Sequence, residues 1–478
     1  MIPLFVKVIL YNFGGFMKLK IIHTNDLHSH FDNFAKAATV INQHRDENTI
    51  LVDAGDFADF KSIELQGTRG MAAVELLDAV GYDALTIGNN EMFNGAETLE
   101  HMAVQSSVPF ISNNLFRKDE TAIPGVRSSV ILSKNGLRIF VTGASPDLGA
   151  FNEGLGFHSE NYIIAIAEEL ERNRGKYDLC ILLNHVGTVA DMDLAKEISG
   201  IDVIVSSHDH VLYQEAKVVN DTFIVSAGNF GEHIGVLEIE VKKSHKILLQ
   251  SAVYNTKDSK PDEEIVTILK RNKETAIEIL GKPLYTINEP LWHDVIGENP
   301  ITNLIADGLK DMLNTDIGMI NSGIVNAGIF SYVSNKKLIE ICPSPLNPTS
   351  FEIQGKYILE AVQQSLDVQH CLLDGRGPGF RGKYIGRLHI SGAQVVYDGL
   401  KVVEMRIDGE PIEKERWYSV ASSDYLQRGS GYPSLAHNRN EFYRPEEIKE
   451  VIKMYAIKPE FVNRAYDKRI KELLKIKG

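Results

Sequence analysis

Five times in the first half of the chain, a short apolar run ends in residues that can bind a metal ion. LKIIHTND leads to Asp26 and His28, ILVDAGD to Asp56, ALTIGN to Asn89, CILLNH to His185, and VIVSSHDH to His208 and His210. The runs have strand length and are rich in β-branched residues. They predict strands at Leu19–His23, Ile50–Val52, Ala84–Ile87, Phe110–Ser112, Leu179–Leu183 and Val203–Val205. Between them, amphipathic stretches predict helices at about 33–44, 69–80, 95–105, 160–174 and 190–199. Strand and helix alternating at this spacing is an α/β pattern with crossover connections. In an open α/β sheet the carboxyl ends of the strands share one edge, where ligands bind. Sites far apart in sequence can therefore converge in space.

Two stretches read as hairpins instead. Ser129–Ser133 turns through Asn135-Gly136 into Leu137–Thr142, and Phe223–Ala227, Val236–Val241 and Ile247–Val253 follow one another. After Tyr254 a polar segment with Pro261 leads into a charged helix ending near Leu280. At 478 residues the chain exceeds one ordinary core, and this is the expected joint between two domains. The expected organisation is an extension at 1–16, a first domain at 17–255, a linker helix at 256–282 and a second domain at 283–478. The second half predicts helices near 300–313 and 355–366, and strands near 317–320, 394–397 and 401–407. Two closing helices are expected near 444–455 and 459–475.

A net charge of −14 argues against a nucleic-acid polymer as partner. No stretch reaches the ~20 apolar residues of a membrane span. The three cysteines (Cys180, Cys342 and Cys371) are scattered and odd in number, with Cys180 in a core-like run. That pattern suits a reducing compartment better than a disulfide framework. Residues 1–16 are apolar but lack a basic start and a small-residue cleavage site. Met17 as the working start and a cytoplasmic location are the expectation, with export by an atypical signal the alternative.

Imidazole, carboxylate and side-chain amide together favour two divalent cations of the Mn, Zn, Fe or Co type over calcium. A pair ~3.5–4 Å apart can generate a hydroxide between them for in-line attack on phosphorus. Any one such residue is ordinarily a turn former or a satisfied polar group. Asp53 and Asp59 read that way, His23 as a buried strand-end imidazole, and His30 as a residue behind the ligands or on the surface. Seven at successive strand ends are a different matter. Neither a phosphate-binding G-x-x-x-x-G-K-[ST] nor a G-x-S-x-G nucleophile turn is present.

HTNDLHSHF, DAGDF, GNNE, NHVG and SSHDH, in this order, resemble the calcineurin-like metallophosphoesterases, and more narrowly the bacterial 5′-nucleotidase and UDP-sugar hydrolase family. The resemblance implies a four-layer αββα catalytic domain joined by a helix to an α+β C-terminal domain. By position it implies one metal on Asp26, His28, Asp56 and His210. A second would sit on Asp56, Asn89, His185 and His208, with Asp56 shared.

Two regions depart from the family's pattern. Its G-N-H-E-F-D reads Gly88-Asn89-Asn90-Glu91-Met92-Phe93 here, so Asn90 takes the place of the histidine that contacts the phosphoryl group. An amide can donate a hydrogen bond but cannot shuttle a proton. The family's N-S-G-G-[IV]-R reads Asn321-Ser322-Gly323-Ile324-Val325-Asn326, without the arginine. Pro345-Leu346-Asn347 lacks an aromatic, and Arg428-Gly429-Ser430-Gly431-Tyr432 has Ser in place of an acid. The expected substrate contacts are Asn321, Gly323, Asn326, Asn347, Tyr425, Arg428 and Tyr432, with Tyr425 a stacking platform for a base and Arg376 a further source of charge. The function so implied is metal-dependent hydrolysis of a nucleotide or other small phosphorylated metabolite. A metal-dependent receptor for such a compound, weakened in catalysis by Asn90, is the alternative. The native substrate and the oligomeric state are left open.

Overall fold

The computed structural model describes residues 17–149, 151–242 and 245–473. The expectations for residues 1–16 and for the last residues of the closing helix lie outside these. The chain divides into two compact units: Met1–Leu148 with Leu155–Ala276, and Gly149–Gly154 with Ile277–Gly478. The division falls within the helix Glu263–Gly281.

The first unit holds two sheets. The larger, seven-stranded, runs in the order His245–Asn255, His233–Lys242, Met17–Thr24, Thr49–Asp53, Ala84–Thr86, Phe110–Ile111, Val126–Arg127. The smaller, six-stranded, runs Lys217–Val219, Thr222–Val225, Val203–Ser206, Leu179–Asn184, Leu137–Ala144, Ser129–Lys134. The strands that carry candidate ligands pair in parallel with one another, Met17–Thr24 with Thr49–Asp53 and that strand with Ala84–Thr86 in the larger sheet, and Leu179–Asn184 with Val203–Ser206 in the smaller. The other edge of Met17–Thr24 is antiparallel to His233–Lys242. Alternation along one strand explains the layers. Ile181 and Leu183 pack in a cluster with Leu19, Ile21, Ile50 and Val52 of the other sheet. Cys180 and Leu182, pointing the opposite way, join Ile166, Leu170 and Leu194 of the covering helices. A sheet facing a sheet, with helices outside, gives the four-layer αββα sandwich. All three cysteines are free and buried.

The second unit is α+β. A five-stranded sheet runs Leu388–Ser391, Ile317–Asn321, Trp417–Ser423, Pro348–Gln354, Asn438–Tyr443, and a four-stranded one runs Glu410–Pro411, Lys401–Ile407, Ala393–Asp398, Ile470–Glu472. Helix Pro300–Leu313 spans the expected residues because Asn299 caps it and Pro300 occupies its first turn.

The helix expected at about 69–80 is Met71–Val80; a separate short helix, Ile63–Thr68, precedes it, with Arg69 and Gly70 in the left-handed region between them. Two local expectations need correction. Thr222–Val225 is not in a hairpin with Val236–Val241. It lies parallel to Val203–Ser206 in the smaller sheet, while His233–Lys242 pairs with His245–Asn255. The closing helix stops at Ala465, and Ile470–Glu472 is a strand parallel to Ala393–Asp398. Arg469 decides that end: its guanidinium is buried on Asp307 at 2.7 Å and on the Ile390 carbonyl at 3.1 Å, which a continuing helix would forbid.

Candidate metal centre

The strands end and the chain turns sharply. Asp26, His28, Asp56, His208 and His210 all have positive φ, between 48° and 79°. Non-glycine residues adopt this conformation at a cost, and such strain collects at functional sites. Here it folds each loop back over its strand end. Two glycines permit the loops to stack: a Cβ at Gly55 would meet His185 Nδ1, and one at Gly88 would meet the Asp56 carboxylate.

All seven candidate ligands come together. His28 Nε2 and His210 Nε2 are 2.9 Å apart, with Asp26 Oδ1 3.9 and 3.7 Å from them. Asp56 Oδ2 lies 3.6 Å from His28 Nε2 and 3.3 Å from His185 Nε2, so one carboxylate oxygen faces both halves of the site. On the far side, His208 Nδ1 is 3.0 Å from Asn89 Oδ1, and the His185 and His208 rings stand 5.3 Å apart.

The donor set fits cations. His185 Nδ1 is 2.7 Å from the Ala54 carbonyl, which can only accept, so Nδ1 carries a proton and Nε2 is the ring atom whose lone pair a cation would take in place of a proton. That Nε2 is buried without a hydrogen-bond partner. Asp26, His28 and His210 form one group of mutually close ligand atoms, and Asp26, Asp56 and His185 another. Burial opposes charge on both His185 and Asp56, yet their attraction prevails. His185 is pushed up to about 10, and Asp56 is held well below the usual carboxylate range.

Several supporting residues lie within the motifs but escaped sequence reasoning. Asn25 Nδ2, Ser207 Oγ and the His208 N–H all donate to the Asp26 carboxylate, at 2.8–3.1 Å. Glu91, fully buried, accepts the backbone N–H groups of Asp56, Ala58 and Gly88 at 3.1, 2.7 and 2.8 Å. Burial, then the charge of Asp56, push it up to about 7. Phe230 gave no sequence signal. It has a φ of 58° and its ring contacts His30, His28 and His210 at 4.0, 5.8 and 5.8 Å. Asp53 is a buried turn former that accepts from Thr24 and Gly55, and His23 is buried. Asp59 accepts from the Lys61 N–H and also faces His28 Nδ1 at 3.8 Å.

Residues 19–212 match the calcineurin-like phosphoesterase model, and residues 282–437 match the 5′-nucleotidase C-terminal domain. The chain is 30% identical to the uncharacterized metallophosphoesterase YunD of Bacillus subtilis over 459 residues, covering 91% of this chain and 98% of that one. It belongs to the calcineurin-like phosphoesterases with a 5′-nucleotidase C-terminal domain. The 5′-nucleotidase of Diplobatis ommata is 24% identical, covering 95% of this chain and 89% of that one. In fold, the phosphoesterase is similar to the NAD nucleotidase of Haemophilus influenzae, with a TM-score of 0.67, 16% identity, and coverage of 96% and 100%.

In the C-terminal domain of this phosphoesterase, most of the expected substrate contacts have internal partners. Asn321 is buried and donates to the Ile385 carbonyl at 2.6 Å. Gly323 lies so close to the Tyr384 and Ile385 carbonyls that no side chain would fit. Asn347 donates to the Pro445 and Glu446 carbonyls at 3.2 and 3.0 Å, and Tyr432 to Gly386 at 2.6 Å. Arg428 pairs with Asp424 at 2.8 Å. Tyr425 is fully buried, its ring stacked on Phe380 at 4.5 Å. Asn326 is exposed, as is Arg376, which pairs with Asp374 at 3.5 Å.

Proposed function

We propose that this metallophosphoesterase hydrolyses a nucleotide or another small phosphorylated metabolite at the centre formed by Asp26, His28, Asp56, Asn89, His185, His208 and His210. The observation that carries the reading is Asp56 Oδ2, which faces His28 Nε2 at 3.6 Å and His185 Nε2 at 3.3 Å. Asp26, His28, Asp56 and His210 would hold one divalent cation, and Asp56, Asn89, His185 and His208 the other. Mn, Zn, Fe or Co suits this donor set. Bound there, the pair supplies a hydroxide nucleophile at neutral pH and neutralises phosphate charge.

The chain's own groups do the rest. Asp56 and Asp26 are fixed by backbone and side-chain donors, so the site is shaped before a substrate arrives. The Asn90 amide, which donates to Asp56 and faces His28 Nδ1, has no proton to transfer to a leaving group. Esters with good leaving groups are therefore the better substrates. In the second domain, Asn326, Arg376 and Arg428 are the exposed members of the proposed substrate-contacting set. Among the described residues no helix is long and apolar enough to cross a membrane. A cytoplasmic enzyme is the reading we adopt, which cell fractionation checks.

The test is a screen of metal-reconstituted protein against nucleotides, cyclic nucleotides, nucleotide sugars and simple phosphodiesters. Hydrolysis stimulated by Mn or Co and abolished by Asp56→Asn is expected. Inertness across the panel, with tight binding of one member, would instead favour a receptor. The hydrogen bond from Asn90 to Asp56 motivates that second reading.

A further inference from the structure

The His185 and His208 ligands sit on neighbouring strands, and something must set the spacing of the two strand ends. Leu179–Asn184 and Val203–Ser206 pair in parallel, with Asn184 opposite Ser206 as the last pair. His185 follows the first strand directly, and Ser207 and His208 follow the second. Asn184 Nδ2 donates to Asp191 Oδ1 at 2.7 Å, and Ser206 Oγ donates to Asp191 Oδ2. All three side chains are buried. A buried carboxylate met only by neutral donors is costly to keep, and an apolar residue would fill the space at lower cost.

Asp191 lies in the first turn of the helix Thr188–Glu197, which His185 reaches through Val186 and Gly187. That helix has no side-chain cap of its own. Asp209, between His208 and His210, supplies one from outside, accepting the Thr188 N–H at 2.7 Å and its hydroxyl at 2.6 Å. One helical turn is thus bracketed by two carboxylates. The first ties it to both strand ends and the second to the loop that carries His208 and His210. Among the described residues, the side-chain hydrogen bonds of these two carboxylates go to Asn184, Ser206 and Thr188 and not to an imidazole. The parallel ladder fixes the strands only as far as Asn184 and Ser206. The contacts of the rings themselves, His185 with Ala54 and His208 with Asn89, orient each ring without tying the segment after one strand to the segment after the other.

We propose that Asp191 is a positioning residue that sets the distance between His185 and His208, and so the affinity of the cation these two would share. The inference rests on the metal-centre reading. Its test is titration of the metal-free full-length protein with Co(II), read as stoichiometry, affinity and visible absorption, for the parent, D191A, D191N and S206A.

The parent is expected to take two Co(II) per chain. D191A is expected to weaken one of the two sites by about tenfold or more and to alter the absorption envelope. The other site, resting on Asp26, His28 and His210, stays near the parent value. S206A, which removes one tie and little volume, should move the same site the same way by less. D191N should restore most of the affinity, because its oxygen can accept from Asn184 while its amide can donate to Ser206 Oγ. Unchanged affinities and spectra in S206A and in D191A would overturn the proposal. If D191A fails to fold, S206A decides alone. A parent that binds no pair of Co(II) would overturn the metal-centre reading itself, and this inference with it.

Discussion

The side-chain amide of Asn90 donates to Asp56 Oδ2 at 2.6 Å, while the Asn90 backbone N–H donates to Oδ1 at 2.8 Å. One residue therefore holds both oxygens of the carboxylate that faces the two halves of the centre. The amide nitrogen also lies 3.3 Å from His28 Nδ1, so an imidazole at position 90 would stand at the same edge of the site.

From this follows an expectation for leaving groups. Asn90→His combined with Phe93→Asp should raise kcat on alkyl phosphate esters by about 10²-fold or more, the usual contribution of a general acid. A nitrophenyl ester, which needs no proton, should change by less than about threefold. Phe93 is 49% exposed, so the aspartate costs little packing. Equal gains on both ester types would argue against a missing proton donor.

Glu91 should prove a stability determinant of the centre. Replacing it with Ala strands three buried N–H donors on Asp56, Ala58 and Gly88, at roughly 1–3 kcal/mol for each unsatisfied group. Gln keeps acceptor capacity at its carbonyl oxygen and should lose less than Ala. Urea denaturation of the metal-free forms, with metal content measured in parallel, separates the two. A Glu91→Ala protein as stable as the parent would refute the assignment.

His389 should make the second domain acid-sensitive. Its Nδ1 is 2.8 Å from Asn303 Oδ1, and Asn299 Nδ2 lies 3.2 Å from its Nε2. Burial first, then the Arg387 and Arg469 charges, hold the folded-state pKa well below 6.5. The native state therefore binds fewer protons than the unfolded chain. The stabilisation is fully present above pH 6.5 and is lost as pH falls below it towards the folded pKa, by up to about 1.4 kcal/mol per pH unit. Trp292 and Trp417, the only tryptophans, both lie in this domain, so their emission reports its unfolding. Denaturation midpoints between pH 7.5 and 5 should fall in the parent, and fall less steeply in His389→Gln. Parallel slopes would count against the assignment.

A fourth expectation concerns a cross-strand pair. His23 faces Gly235 in the antiparallel register of Met17–Thr24 with His233–Lys242, and a Cβ at Gly235 would overlap the imidazole. Gly235→Ala should cost about 1–3 kcal/mol by overpacking. Trimming the partner, in His23→Ala with Gly235→Ala, should recover part of that loss. A double-mutant cycle with no coupling between the two positions would show that the ring shifts freely.

Much of the first domain was legible because its signals are local. Apolar runs mark the parallel strands, and the ligands lie within a few residues of each run's end. Asn299-Pro300 gives the start of its helix for the same reason. The misread segments depend on partners far away in the chain. Thr222–Val225 does lie in a hairpin, but with Lys217–Val219 rather than Val236–Val241, and its place in the sheet is set by Val203–Ser206. The segment after Ala465 has helical character until Arg469 finds Asp307, more than 150 residues earlier.

The order and identity of the candidate ligands, the α/β character of the first half and the family are all written in contiguous residues, so the amino-acid sequence suffices for them. That Asp56 faces both halves of the centre comes from the packing of distant segments. Such packing alone put Glu91 behind three backbone donors and turned Tyr425 onto Phe380 rather than outward. Those are relations between distant residues, and they are fixed by burial and hydrogen-bond satisfaction, which no local pattern carries.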